Sequence, residues 1–308
     1  MTVITVTFHP AVDKVVHVPR LRPNEATRAR VGNLYAGGKG NNVARALNRL
    51  GLEVTATGFQ GGYTGDFCAQ NLRAEGIQTA FTPCRVITRT SQLIIEDETG
   101  AVFPIYEPGQ VVETDETEAL IESVSRLLPP GAVCLLCGSA VVADAYARII
   151  TLADQRGVRC LLDSSGQALK LGIAAKPYLV KVNADELGEY IGYKLVDRQS
   201  QVRALQETQA NGIPIVAVSL GAEGLLATDG DTVWLGSLPM SNVVNTVGCG
   251  DSLLAGLTLA LCNDGSLPEM VRWGVACGAA NTQIIGAGFI ERDVVNGLLA
   301  QVNLERIL

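Results

Sequence analysis

Short apolar runs alternate with segments of helical periodicity along most of this chain. The runs Val3–Phe8, Val54–Phe59, Val133–Cys137, Val158–Asp163, Tyr178–Val182 and Ile215–Ser219 have strand length, and several are apolar throughout, as strands covered on both faces must be. Asn42–Leu50 sets Val43, Ala46, Leu47 and Leu50 on one helical face, with Gly51 where a C-terminal cap belongs. Similar patterns predict helices over Asp66–Ala74, Glu116–Leu127, Ala143–Arg156, Gln201–Ala210, Asp251–Leu261 and Leu267–Ile284. The alternation predicts an α/β fold whose mostly parallel sheet is covered on both sides and binds ligands at the carboxyl ends of its strands.

Two stretches break the rhythm. Val12–Val18 with Arg28–Tyr35, and Ser91–Glu96 with Val102–Tyr106, read as strand pairs without intervening helices, and they mix polar with apolar residues. They predict a small separate sheet, a natural lid that closes over a site and excludes water. The length of 308 residues allows two ordinary domains or one large α/β domain with an appendage. With no linker or repeat visible, the expectation is one domain over 1–308, with lid strands from about 12–35 and 90–106 inserted in it.

Composition narrows the chemistry. A net charge of −7 argues against nucleic acid or an acidic membrane as partner, so any anion must be caught by a few placed cations and backbone amides. His9 and His17 are too few for His-based zinc chemistry. Eight cysteines spread through a long chain read as reduced thiols in a cytoplasmic protein, and Cys134 and Cys137, a C-x-x-C inside VCLLCG, read as buried strand residues. Neither a signal peptide nor an apolar span of about 18 residues is visible.

Two glycine turns could hold an anion. In the run Val244–Gly256, Gly248 and Gly250 precede Asp251 and an apolar helix, offering unpaired N–H groups and a positive dipole end. The plainer reading is a capped helix with Asp251 in its first turn. The dinucleotide G-x-G-x-x-G is not met, since Leu253 stands at the third glycine, and no G-x-x-x-x-G-K-[ST] occurs. The earlier run Ala36–Asn42 combines glycines, Lys39, Asn41 and Asn42, donors suited to hydroxyls and a phosphate, or merely a glycine turn with a solvated lysine.

Together, GGKGNNVARALNRLG at 37–51 and TVGCGDSLLAG at 246–256 resemble the two signatures of the phosphofructokinase-B (ribokinase-like) carbohydrate kinases. The likeness spans nearly the whole chain and includes HPAVD at 9–13, LLDSSGQAL at 161–169, LVKVNADEL at 179–187 and VSLGAEGLL at 218–226. It is strongest to the hexose-phosphate branch, the 1-phosphofructokinases and tagatose-6-phosphate kinases. The resemblance implies a ribokinase-like three-layer sandwich with a β-sheet lid, ATP and Mg2+ as cofactors, and a ketohexose phosphate as substrate, fructose 1-phosphate before tagatose 6-phosphate or fructose 6-phosphate. Relatives also suggest a homodimer through the lid strands. Competing classes are a non-catalytic sugar-phosphate sensor, disfavoured by the presence of Asp251 and Glu186, and an NAD-linked dehydrogenase, which lacks its fingerprint.

By the same resemblance Asp251 would take the proton from the attacking hydroxyl, and the amides of Gly248, Cys249 and Gly250 would cradle the transferred phosphoryl group. Asp13 and Asn42 would bind sugar hydroxyls, with Gly38 and Ser139 on the substrate side. Lys39, Arg28 and Arg89 would clamp the phosphate already on the sugar. Lys181, Asn183, Ser219, Gly221 and Thr246 would face ATP, and Glu186 with Asn183 would order the metal's water shell; a capping pair is the plainer reading of those two. The sequence departs from the family pattern at His9, Val182, Asn245 and the loop Gly138–Asp144. Cys249 is a fifth particular: it is either a small residue tolerated in the turn or a thiol acidified by the helix end and open to oxidation.

Overall fold

The computed structural model describes residues 1–109, 111–140 and 142–308. The first half runs β1 (Val3–Thr7), β2 (Ala11–Val18), β3 (Arg30–Gly37), α1 (Lys39–Arg49), β4 (Val54–Gln60), α2 (Gly62–Ala74), the short β5 (Gln78–Thr79) and β6 (Thr82–Pro83), β7 (Arg89–Glu96) and β8 (Val102–Tyr106). The second contributes α3 (Thr114–Arg126), β9 (Val133–Cys137), α4 (Ala145–Asp154), β10 (Arg159–Asp163), α5 (Gly166–Ala174), β11 (Leu179–Asn183), α6 (Ala184–Ile191), α7 (Arg198–Gln209), β12 (Ile215–Ser219), β13 (Leu225–Thr228), β14 (Val233–Ser237), α8 (Cys249–Cys262), α9 (Leu267–Asn281), α10 (Arg292–Leu299) and β15 (Asn303–Arg306).

The main sheet has the order β15-β14-β13-β12-β11-β10-β9-β1-β4-β5, with β6 also on β4; it is parallel from β12 to β5 and antiparallel through β13 to β15. Alternation along the buried strands feeds two cores. Val3 packs with Val43 and Leu47 of α1, Leu254 of α8 and Met270 of α9, whereas Ile4 and Val6 pack with Leu120 of α3, Tyr146 of α4 and Leu205 of α7. The result is the expected three-layer arrangement. Because β4 and β9 flank β1, the strand order reverses there, and a crevice opens beyond the carboxyl ends.

The same alternation settles the C-x-x-C. Cys134 and Cys137 are buried on opposite faces of β9, in different cores, so their thiols point apart. Helix α1 starts at Lys39, ahead of the predicted Asn42, and ends as predicted: Gly51 N–H donates to Asn48 O at 2.9 Å and Leu52 N–H to Leu47 O at 3.0 Å. Helices α5, α6 and α10 and strands β13–β15 are absent from the predicted elements, α6 showing only through the capping pair Asn183 and Glu186 at its start. The first three are short, and β15 is a polar edge strand, so neither gives a clear period.

The second sheet has the order β3-β2-β7-β8, with β2 and β7 parallel and both outer pairs antiparallel. Register puts Asp13, Ser91 and Tyr106 on one face, and Leu34, Lys14, Gln92 and Ile105 on the other. Among the described residues no helix is long and apolar enough to cross a membrane.

Candidate active site

A cleft of about 620 Å³ lies between the two sheets. The main-sheet side presents Gly38, Lys39, Asn42, Lys181, Asn183, Glu186, Ser219, Thr246, Gly248, Gly250 and Asp251; the small sheet presents Asp13, Arg89, Ser91 and Tyr106. The two glycine turns, about two hundred positions apart in sequence, therefore meet. The link is direct: Asn42 Nδ2 donates to Asp251 Oδ2 at 2.8 Å. Asn41, its neighbour, turns inward and donates to Gly37 O at 2.8 Å.

Helix α8 begins on Gly248, whose φ of 83° lies in the left-handed region, and a Cβ there would stand 2.4 Å from the Ala287 Cβ. Backbone geometry and packing both call for glycine. No side chain caps this helix, and among the described residues the Gly248 and Gly250 N–H groups find no acceptor outside it, whereas Cys249 N–H leans on Thr246 O at 3.3 Å. Two free amides at a positive helix end form a place for an anion, next to a carboxylate. Asp251 is 7% exposed, and burial pushes its pKa up to about 6 against the pull of Lys39, the Asn42 hydrogen bond and Lys181, with Asp163 adding to the rise. A carboxylate so poised can accept a proton near neutrality.

Beneath the turn lies a group absent from the sequence-based assignments. Asp163 ends β10, is 1% exposed, and accepts from Lys39 Nζ at 2.8 Å and from Lys181 Nζ at 2.7 Å. Burial alone would raise its pKa, but the two ammonium groups hold it below the usual carboxylate range. One buried carboxylate thus fixes two cations at the floor. Lys39 also lies 3.8 Å from Glu186 Oε1, which places it among floor carboxylates rather than out under the lid. Burial would lower the Lys39 pKa, but Asp163, Asp251 and Glu186 together raise it.

Asn183 and Glu186 form a reciprocal capping box on α6: Asn183 N–H donates to Glu186 Oε2 at 2.9 Å, and Glu186 N–H to Asn183 Oδ1 at 2.8 Å. The plainer reading of that pair holds, and it leaves Glu186 Oε1 facing Lys39 and the cleft. One carboxylate beside a phosphate site suits Mg2+, which keeps most of its waters and binds one or two carboxylates plus substrate phosphates. Among the described residues no cluster of three or more His, Cys, Asp or Glu forms a cage for a metal.

The small sheet contributes Asp13, whose pKa is pushed up to about 6 by burial, against the pull of Arg45 and Arg89, with Asp251 adding to the rise. A Cβ on Gly37 would lie 2.1 Å from Asp13 Oδ2, so a glycine is needed for this carboxylate to reach the cleft. Arg89 donates from Nη1 to Glu107 O at 2.8 Å, while its buried Nε finds no partner among the described residues. Ser91 and Tyr106 share this wall and were not singled out by sequence; alternation from Asp13 through the strand pairs was the signal available.

Four of the expected residues lie outside the cleft lining. Arg28 is exposed on the segment ahead of β3, and Ser139 is exposed beyond β9. Gly221 lines an adjoining groove of about 270 Å³ that shares Asn183 and Ser219 with the cleft. Cys249 is half-buried, with Sγ 3.7 Å from Asn281 Nδ2. Burial raises its pKa, the Asn281 contact opposes this, and Asp251 adds to it, a direction that favours the reading of a small residue in the turn over an acidified thiol. Of the departing loop Gly138–Asp144, Val141 lies outside the described residues.

The chain is 32% identical to a 1-phosphofructokinase of Bacillus subtilis over 99% of its length and 100% of that protein's. It is 30% identical to a tagatose-6-phosphate kinase of Staphylococcus epidermidis, over 98% of this chain and 99% of that one. Among solved structures, phosphofructokinase-2 of Escherichia coli in complex with potassium superposes with a TM-score of 0.92 at 31% identity, covering 97% of this chain and 98% of that one. The model of the pfkB family carbohydrate kinases matches residues 7–293, and the chain belongs to that family.

Proposed function

We propose that this carbohydrate kinase transfers the γ-phosphoryl group of ATP to a hydroxyl of fructose 1-phosphate, giving fructose 1,6-bisphosphate and ADP. The observation that carries this reading is the meeting of Asp251 with the free amides of Gly248 and Gly250 across from Asp13 and Arg89. Asp251 takes the hydroxyl proton as the sugar oxygen forms its bond to phosphorus and the bond to the ADP oxygen breaks. Phosphoryl transfer needs positioning and charge stabilisation more than covalent help, and the amides, Lys39 and Lys181 supply both. Mg2+, when bound with the nucleotide, would offset charge on the phosphates, and Glu186 with Asn183 is the pair placed to order its waters. Thr246, Lys181, Asn183 and Ser219, with Gly221 in the next groove, mark the nucleotide side. Asp13, Gly38 and Asn42 bind sugar hydroxyls, and Arg89 meets the phosphate the substrate brings.

Tagatose 6-phosphate and fructose 6-phosphate are the competing acceptors, because relatives bearing those names match to a similar extent. A panel of purified sugar phosphates in an ADP-release assay separates them. The highest kcat/KM is expected for fructose 1-phosphate, and a flat response to all phosphorylated hexoses would overturn the assignment.

The outer face of the lid suggests a partner. Leu34, Phe103 and Ile105 are 44%, 41% and 52% exposed on the side turned away from Asp13, on the two edge strands of the sheet, with Lys14 and Gln92 between Leu34 and Ile105. A second copy of the chain is the proposed cover. Leu34→Glu with Ile105→Glu should convert a dimer to a monomer in sedimentation equilibrium, and a wild-type monomer at high concentration contradicts the pairing.

A further inference from the structure

Arg45 is the bulkiest of the fully buried side chains, and a guanidinium with no exposure persists only when its donors are matched. Nε and Nη2 donate to the Glu75 carboxylate at 2.6 and 3.0 Å; Nη2 also donates to Ala36 O at 2.7 Å; Nη1 donates to Ala287 O at 3.2 Å and to Asn42 Oδ1 at 3.4 Å. The Phe289 and Tyr35 rings stack on it, with centroids 4.5 and 5.4 Å from Cζ. These partners come from the end of α2, from lid strand β3, from the segment before α10, and from α1 itself.

Two of the contacts lead to the reacting groups. An amide can sit either way round, and a donor on Asn42 Oδ1 selects the orientation in which Nδ2 faces Asp251. The opposite orientation would set an amide oxygen against a carboxylate. Ala287, held through its carbonyl, forms the wall against which Gly248 packs at the start of α8. We propose that Arg45 is a positioning residue of the kinase reaction: it locks the Asn42 amide and the Ala287 turn, and so keeps the base and the anion site in register with the lid strand. This rests on the reading of Asp251 as the base.

The test is a double-mutant cycle with Arg45→Lys and Asn42→Ala, followed through the pH dependence of kcat with ATP and fructose 1-phosphate. Asn42→Ala removes a hydrogen bond that holds the Asp251 pKa down, so the acid limb of kcat should move above its starting point near pH 6. The other ionisable groups around Asp251 stay as they are: Lys39, Lys181 and Asp163 on the floor, Asp13 and Tyr106 on the lid, and the thiols of Cys137 and Cys249. Arg45→Lys should shift the limb the same way and lower kcat about 10-fold near pH 6. The double variant should shift no further than Asn42→Ala alone. Glu75→Gln, which keeps the guanidinium but loosens its clamp, should give a smaller shift in the same direction and serves if Arg45→Lys does not fold. A fall in melting temperature with the limb unmoved, or additive shifts in the double variant, would overturn the proposal. Normal turnover in Asp251→Asn would remove the base assignment as well, which distinguishes that failure from a failure of Arg45 alone.

Discussion

The floor and the lid of the cleft are built on opposite plans. On the floor the charged side chains have protein partners: Asp251 has Asn42, Lys39 and Lys181 share Asp163, and Glu186 is boxed with Asn183. On the lid the groups aimed at the cleft have spare capacity: Arg89 Nε has no partner among the described residues, and Asp13 makes no hydrogen bond through its carboxylate among them. A preorganised floor stabilises charge without rearranging during the reaction, while an unfilled lid gains its partners when substrate arrives. Floor substitutions should therefore act on turnover, and lid substitutions on substrate capture.

The largest break is expected at Asp251. Asp251→Asn should lower kcat by about 10²–10⁴-fold with KM little changed, as steady-state kinetics can show. In the wild type, kcat should rise with pH through about 6 as the carboxyl loses its proton. Stability runs the other way: a carboxyl with a folded pKa above its usual 3.8 holds protons more tightly in the folded state, so its contribution declines between about pH 4 and 6. A denaturation series across that range checks the sign.

A smaller and different effect belongs to the lid. Arg89→Ala should raise the sugar-phosphate KM by about 10–100-fold, the worth of a charge-assisted hydrogen bond, with kcat and the ATP KM close to wild type. Equal losses in kcat and kcat/KM would instead put Arg89 with the floor. The smallest effect is expected at Cys249. With its thiol pushed up by burial, Cys249→Ala should match the wild type in turnover and in its response to peroxide. Selective protection by that substitution would reinstate an activated thiol.

What the sequence revealed follows the same division. Strands that are apolar throughout, mixed strand pairs without a helix between them and the two glycine turns carry local signatures, so the parallel strands of the sheet, the lid strands, Gly248 and Asp251 were legible. Asp163 was visible only as the third residue of LLDSSGQAL, where the strand ends; its role depends on Lys181 from the adjacent strand and on Lys39 from a helix more than a hundred residues earlier. Arg45, between two alanines on α1, reads as an ordinary polar helix position, because nothing local shows that Glu75 and Phe289 close over it. Arg28 and Ser139 were placed by motif alignment, and that cannot say which side of a loop faces a cleft.

The most direct measurement is a crystal structure with a non-hydrolysable ATP analogue, Mg2+ and fructose 1-phosphate. The terminal phosphate is expected against the Gly248 and Gly250 amides, with a sugar hydroxyl within about 2.6–3.2 Å of an Asp251 oxygen and the sugar's own phosphate on Arg89. A nucleotide bound away from the start of α8, or a sugar whose hydroxyls do not approach Asp251, would contradict the assignment.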